Sequence, residues 1–73
     1  MLRNLTEREI EVVKCIAAGM RQKEIGSELG IALNTVKAHL NSAYNKTGQS
    51  TPVELTLWAV RKGIITVEVE VEA

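Results

Sequence analysis

Seventy-three residues make one small domain with too little interior for the deep cleft an enzyme needs, so catalysis is disfavoured from the start. A single cysteine cannot close an intrachain disulfide, and no charged segment leads into a long apolar run of the kind that marks a signal peptide or membrane span; a cytoplasmic protein is expected. Net charge is zero, but residues 1–65 carry nine Lys or Arg against six Glu, while residues 66–73 carry three Glu and no base.

Phenylalanine is absent and the apolar residues are mainly Leu, Ile, Val and Ala, which suits a helical core packed from aliphatic side chains. In the first segment Thr6 and Glu9 stand in the T-x-x-E spacing of a capping box, with Leu5 and Ile10 placed as a hydrophobic staple. Ile10, Val13, Ile16 and Ala17 recur on one face until Gly19 stops the helix, predicting a helix over 7–18.

A second, short helix is predicted over 22–29, anchored by Ile25 and Leu29, with Gly30 supplying a left-handed turn position before Ile31. Gly26 lies inside it. A helix-interior glycine costs about 1 kcal/mol relative to Ala, so its presence predicts close approach by another helix.

The third helix is predicted over 33–46. Val36, Leu40, Ala43 and, less centrally, Tyr44 form its apolar side, while Asn34, Lys37, Ala38, Asn41 and Asn45 form the other. Lys37 and Lys46 are the only formal charges between Ile31 and Val53. Both are positive, which gives this segment a local potential attractive to phosphate. From Gln22 to Tyr44 the chain reads as short helix, glycine-containing turn, second helix, the helix-turn-helix pattern.

Thr51, Pro52 and Glu54 repeat the T-x-x-E spacing with proline at the first helical position, opening a fourth helix predicted over 52–62 and closed by Gly63. Leu55, Trp58 and Ala59 can face the core. Val53, Leu57 and Val60 make a second apolar stripe that so small a domain cannot cover by itself, and this stripe is the expected contact with a second copy of the chain. The tail, 66–73, alternates Val and Glu with period 2 and is expected to be strand-like or disordered.

The set Leu5-Thr6, Arg8-Glu9, Gly19, Lys23-Glu24-Ile25, Leu29, Ile31, Thr35-Val36-Lys37, His39, Lys46, Gly48 and Gly63-Ile64-Ile65 resembles the LuxR-type, or GerE-like, helix-turn-helix domain over residues 5–65. The resemblance implies a four-helix, DNA-binding domain of bacterial transcription regulators. Such domains occur at the C-terminus of larger regulators and as short stand-alone proteins, and pair through the fourth helix. It further implies that the third helix enters the major groove, with Lys37, Ala38 and Asn41 at base edges and Thr35, Lys23 and Lys46 at phosphates. Asn34 shares the same face.

Ala32 stands where the family has a serine cap, predicting one uncapped N–H at a cost of about 1 kcal/mol unless Asn34 caps one turn later. Arg21 replaces a Ser or Thr cap, Thr47 and Gln49 replace an aliphatic pair around Gly48, and Pro52 replaces a common arginine. Thr47 falls on the core side, so both ends of the third helix are expected to be held less firmly.

One histidine and one cysteine far apart, with no aspartate, give neither a metal-ligand spacing nor a catalytic triad; no enzyme activity, cofactor or small-molecule ligand is expected. His39 reads as a packed histidine or a phosphate contact, Cys15 as a small core residue, and Trp58 as core or dimer surface. The expected architecture is an all-α, compact four-helix domain over 1–65 plus the acidic tail. The expected function is sequence-specific binding of double-stranded DNA as a homodimer. Two alternatives share the pattern: a helix-turn-helix protein-interaction module that does not bind DNA, and region four of a sigma factor.

Overall fold

The punctuation of the sequence becomes four α-helices: α1 (Glu7–Ala17), α2 (Gln22–Leu29), α3 (Leu33–Thr47) and α4 (Pro52–Arg61). The computed structural model describes residues 5–66, and among these there is no strand. The alternating residues 67–73, on which the strand-like or disordered reading of the tail falls, lie outside the described residues.

Helix α1 starts on a closed capping box. The Thr6 hydroxyl accepts the Glu9 N–H at 3.1 Å and the Glu9 carboxylate accepts the Thr6 N–H at 2.8 Å. The helix packs against α3 and α4 and also touches α2, which itself lies against α3. Where they meet, Val12, Val13, Ile25, Val36, Leu40, Ala43, Leu55 and Ala59 are buried. Each of the larger ones contributes about 1.5–3 kcal/mol of transfer free energy.

The core face of α1 differs from the predicted one. Val12 and Val13 are buried together with Glu9, an i, i+3, i+4 stripe, whereas Ile10, Ile16 and Ala17 are only partly covered. The physical reason is that Glu9 has a cation to meet inside the domain, so an acidic residue occupies a position that periodicity assigns to solvent.

The two helices of the central motif are held close by a turn that runs against α2. A Cβ at Gly26 would lie 2.8 Å from the Ile31 carbonyl oxygen and 3.6 Å from Val36 Cγ2. The predicted close approach is real, but its tightest part is the backbone of the turn rather than another helix. Ile31 N–H donates to the Gly26 carbonyl at 2.9 Å, and Gly30 makes the reversal at φ +68, which a residue with Cβ adopts at a cost.

Helix α4 begins with the Thr51 hydroxyl accepting the Glu54 N–H at 3.1 Å and with Pro52 at the first helical position. The second capping box does not close as predicted, because the Glu54 carboxylate reaches one residue further back and accepts the Ser50 N–H at 2.9 Å. After α4 the chain turns so that Ile64 and Ile65 pack onto the core. No helix among the described residues is long and apolar enough to cross a membrane.

Candidate nucleic-acid interface

Helix α3 divides into two faces. Val36, Leu40 and Ala43 are buried, and Asn34, Thr35, Lys37, Ala38, Asn41 and Asn45 are exposed. No acidic residue lies on the helix. Asparagine is a poor helix former, by roughly half a kcal/mol each relative to Ala, because its amide competes for the backbone. Among the described residues the side chains of Asn34, Asn41 and Asn45 donate no hydrogen bond that would offset this, and Lys37 and Lys23 have no ion pair. Three asparagines and a lysine thus present their polar atoms to solvent on one side of one helix.

The N-terminus of α3 is uncapped, as the sequence predicts for Ala32, which has extended backbone and no side-chain acceptor. The alternative cap by Asn34 is not formed. The Thr35 and Val36 N–H groups both donate to the Ala32 carbonyl, at 3.0 and 3.1 Å, so among the described residues only the Leu33 and Asn34 N–H groups lack a partner at this end, whose partial positive charge favours an anion. Leu33 itself is 41% exposed, a feature the periodicity did not single out.

The C-terminus carries polar contacts where the sequence predicts weakened packing. The Thr47 hydroxyl donates to the Tyr44 carbonyl at 3.4 Å and accepts the Gln49 N–H at 3.3 Å, while Gln49 Nε2 donates to the Thr47 carbonyl at 3.0 Å. Gly48 N–H adds a bond to the Tyr44 carbonyl at 2.9 Å. The departures at Thr47 and Gln49 replace apolar packing with hydrogen bonds across the helix end.

Lys46, expected at a phosphate, is engaged within the domain. Its Nζ donates to Glu9 Oε1 at 2.8 Å, and the pair is largely buried. Burial pushes the Glu9 carboxyl up, but Lys46, the nearby Ser42 side chain and the Thr6 N–H outweigh it and hold the pKa at about 2. The ammonium is thus neutralised by a carboxylate rather than standing free beside Lys37. Glu9 is the residue that sequence reasoning missed in this role; its only signal was its place in the capping box.

The other expected phosphate residues, Lys23 and Thr35, are exposed. Lys23 borders a shallow surface depression with Arg21, Glu24 and Ser27 at the start of α2. Glu24 accepts the Arg21 N–H at 2.8 Å, the half of a capping box that remains when a guanidinium, which cannot accept, takes the cap position.

On α4, Val53 is 69% exposed, Leu57 52% and Val60 36%. Val53 and Leu57 join Ile16, Ala17, Pro52 and Thr56 around a groove of about 270 Å³ between α1 and α4. Trp58 and His39 are half-buried, and Trp58 packs on the core. Cys15 is partly buried; burial first, then the charges of Glu28 and Glu11, push its thiol up, which suppresses the reactive thiolate. Among the described residues no three His, Cys, Asp or Glu side chains gather as metal ligands would.

The pattern of the bacterial regulatory proteins of the luxR family matches residues 3–59. The chain is 44% identical over 64 residues to the transcriptional regulatory protein YdfI of Bacillus subtilis (strain 168), covering 88% of this chain and 30% of that protein. It is 37% identical over 62 residues to the transcriptional regulatory protein LiaR of the same organism, covering 85% and 29%. It is 34% identical over 61 residues to the oxygen regulatory protein NreC of Staphylococcus aureus (strain JH9), covering 84% and 28%. The chain spans less than a third of the length of these relatives.

Proposed function

The chain belongs to the luxR family of bacterial regulatory proteins, and on that premise we propose that it is a DNA-binding module of transcription regulation that lays α3 in the major groove. The observation that carries this reading is the exposed, acid-free face of α3, whose amides and ammonium have no partner among the described residues. Lys37, Ala38 and Asn41 meet base edges, with Asn34 beside them. Thr35 and Lys23 meet phosphate. Lys46 acts through its bond to Glu9, by fixing the far end of the reading helix to α1. Residues 1–65 form the binding unit, acting in the cytoplasm.

Two copies pair through Val53, Leu57 and Val60 of α4, so that two reading helices address half-sites about one helical turn, roughly 34 Å, apart. The exposure of this stripe supports the pairing. The same exposure also favours the second reading, a helix-turn-helix module that docks on protein and not on DNA.

A mobility-shift assay on random-sequence duplexes at low ionic strength separates the two. The DNA reading predicts retention that weakens with added salt and weakens again in Lys37→Ala and Asn41→Ala. If no duplex is retained at low salt, the protein-docking reading takes its place.

A further inference from the structure

Asn34 and Asn41 stand seven residues apart, two turns along α3, so their carboxamides leave the same side of the helix about 10 Å from each other. Lys37 and Ala38 occupy the turn between them. All four residues are exposed, and among the described residues neither asparagine nor the lysine donates a side-chain hydrogen bond.

The chemistry of these groups is selective. A carboxamide offers one donor and one acceptor in a plane, the complement of the N7 acceptor and N6 amino donor that adenine shows in the major groove. Guanine shows two acceptors at that edge, which leaves the amide oxygen unmatched. An ammonium is donor only, so Lys37 suits guanine O6 and N7, and the Ala38 methyl is small enough to lie against a thymine methyl. Stacked bases advance about 3.4 Å per step, so 10 Å of helix spans two to three steps.

Resting on the reading of α3 as the DNA-facing helix, we propose that Asn34 and Asn41 make this chain selective for half-sites holding two adenines two to three base steps apart, with Lys37 taking a guanine in the interval. The two amides define the ends of the site. A chain with an acidic residue at either position would select cytosine instead, and one with arginine would select guanine.

The test is selection from a random duplex pool by the full chain, with the enriched sequences compared among variants. The wild type enriches two A·T positions at the stated spacing. Asn41→Ala loses roughly tenfold or more of the discrimination at one of them and keeps the other, and Asn34→Ala does the converse. Asn41→Arg exchanges adenine for guanine at its position. These side chains are exposed, so the alanine variants keep the wild-type thermal melt or exceed it. If the wild type retains duplexes but shows no A·T position that either alanine variant relaxes, the inference is overturned while the DNA reading stands. If no duplex is retained at low salt, the DNA reading itself fails and the inference falls with it.

Discussion

Lys46 Nζ lies 2.8 Å from Glu9 Oε1, joining the last turn of α3 to the first turn of α1 across 37 positions of sequence. The same carboxylate oxygen accepts the Thr6 N–H, so one group caps α1 and ties the last turn of α3 to it. Removing one partner of a buried pair leaves the other charge uncompensated. Lys46→Met is therefore expected to cost about 3 kcal/mol of unfolding free energy in urea, more than a surface pair would. A loss below half a kcal/mol would show that the pair does not hold the helix.

Acid stability should report the same contact. Folding holds the Glu9 carboxyl at about 2 instead of the ordinary 4.5, so the unfolded chain takes up the proton first and stability falls as pH drops from about 4.5 through about 2. The full stabilisation is present above that window, and its loss amounts to about 3 kcal/mol. Urea midpoints measured from pH 6 to pH 2 should show this fall in the wild type and a flatter profile in Glu9→Gln. Parallel profiles would assign the acid sensitivity elsewhere.

Gly26 sets the distance between α2 and the turn. Alanine there gains about 1 kcal/mol of helix propensity but drives a Cβ toward the Ile31 carbonyl, a backbone atom 2.8 Å away that moves only with the turn. Overpacking of this kind costs about 1–3 kcal/mol, so Gly26→Ala should destabilise on balance and lower the melting temperature. A rise in melting temperature would mean that the turn yields freely.

The α4 stripe makes a separable prediction. Leu57 is 52% exposed, and Leu57→Glu leaves the core residues Leu55 and Ala59 untouched. Sedimentation at high concentration should show the wild type associating and the variant monomeric, with an unchanged melt at low concentration. A monomeric wild type would remove the paired-half-site geometry.

Much of the fold was legible because its signals are local. Thr6, Gly19, Gly30, the Thr51-Pro52 pair and Gly63 mark helix ends, and the observed ends lie within one residue of those predicted. The division of α3 into Val36, Leu40 and Ala43 against the asparagine face followed from 3.6-residue periodicity alone. Glu9 was not legible as a buried residue, because its burial depends on a lysine brought to it by the tertiary fold. The polar contacts of Thr47 were not legible for a related reason: its hydroxyl meets Tyr44 and Gln49, partners that composition does not reveal. Lys46 and Lys37 look alike in sequence, and only the fold separates the cation held by a carboxylate from the one facing solvent.

The most direct measurement is a titration of the isotope-labelled chain with duplex DNA at low salt, followed by backbone amide shifts. The account predicts that the perturbed amides cluster at Asn34, Thr35, Lys37, Ala38 and Asn41 of α3 and at Lys23 of α2, and that the shifts reverse on adding salt. Perturbation centred on Val53, Leu57 and Val60 with α3 unmoved, or no perturbation at any duplex concentration, would contradict it.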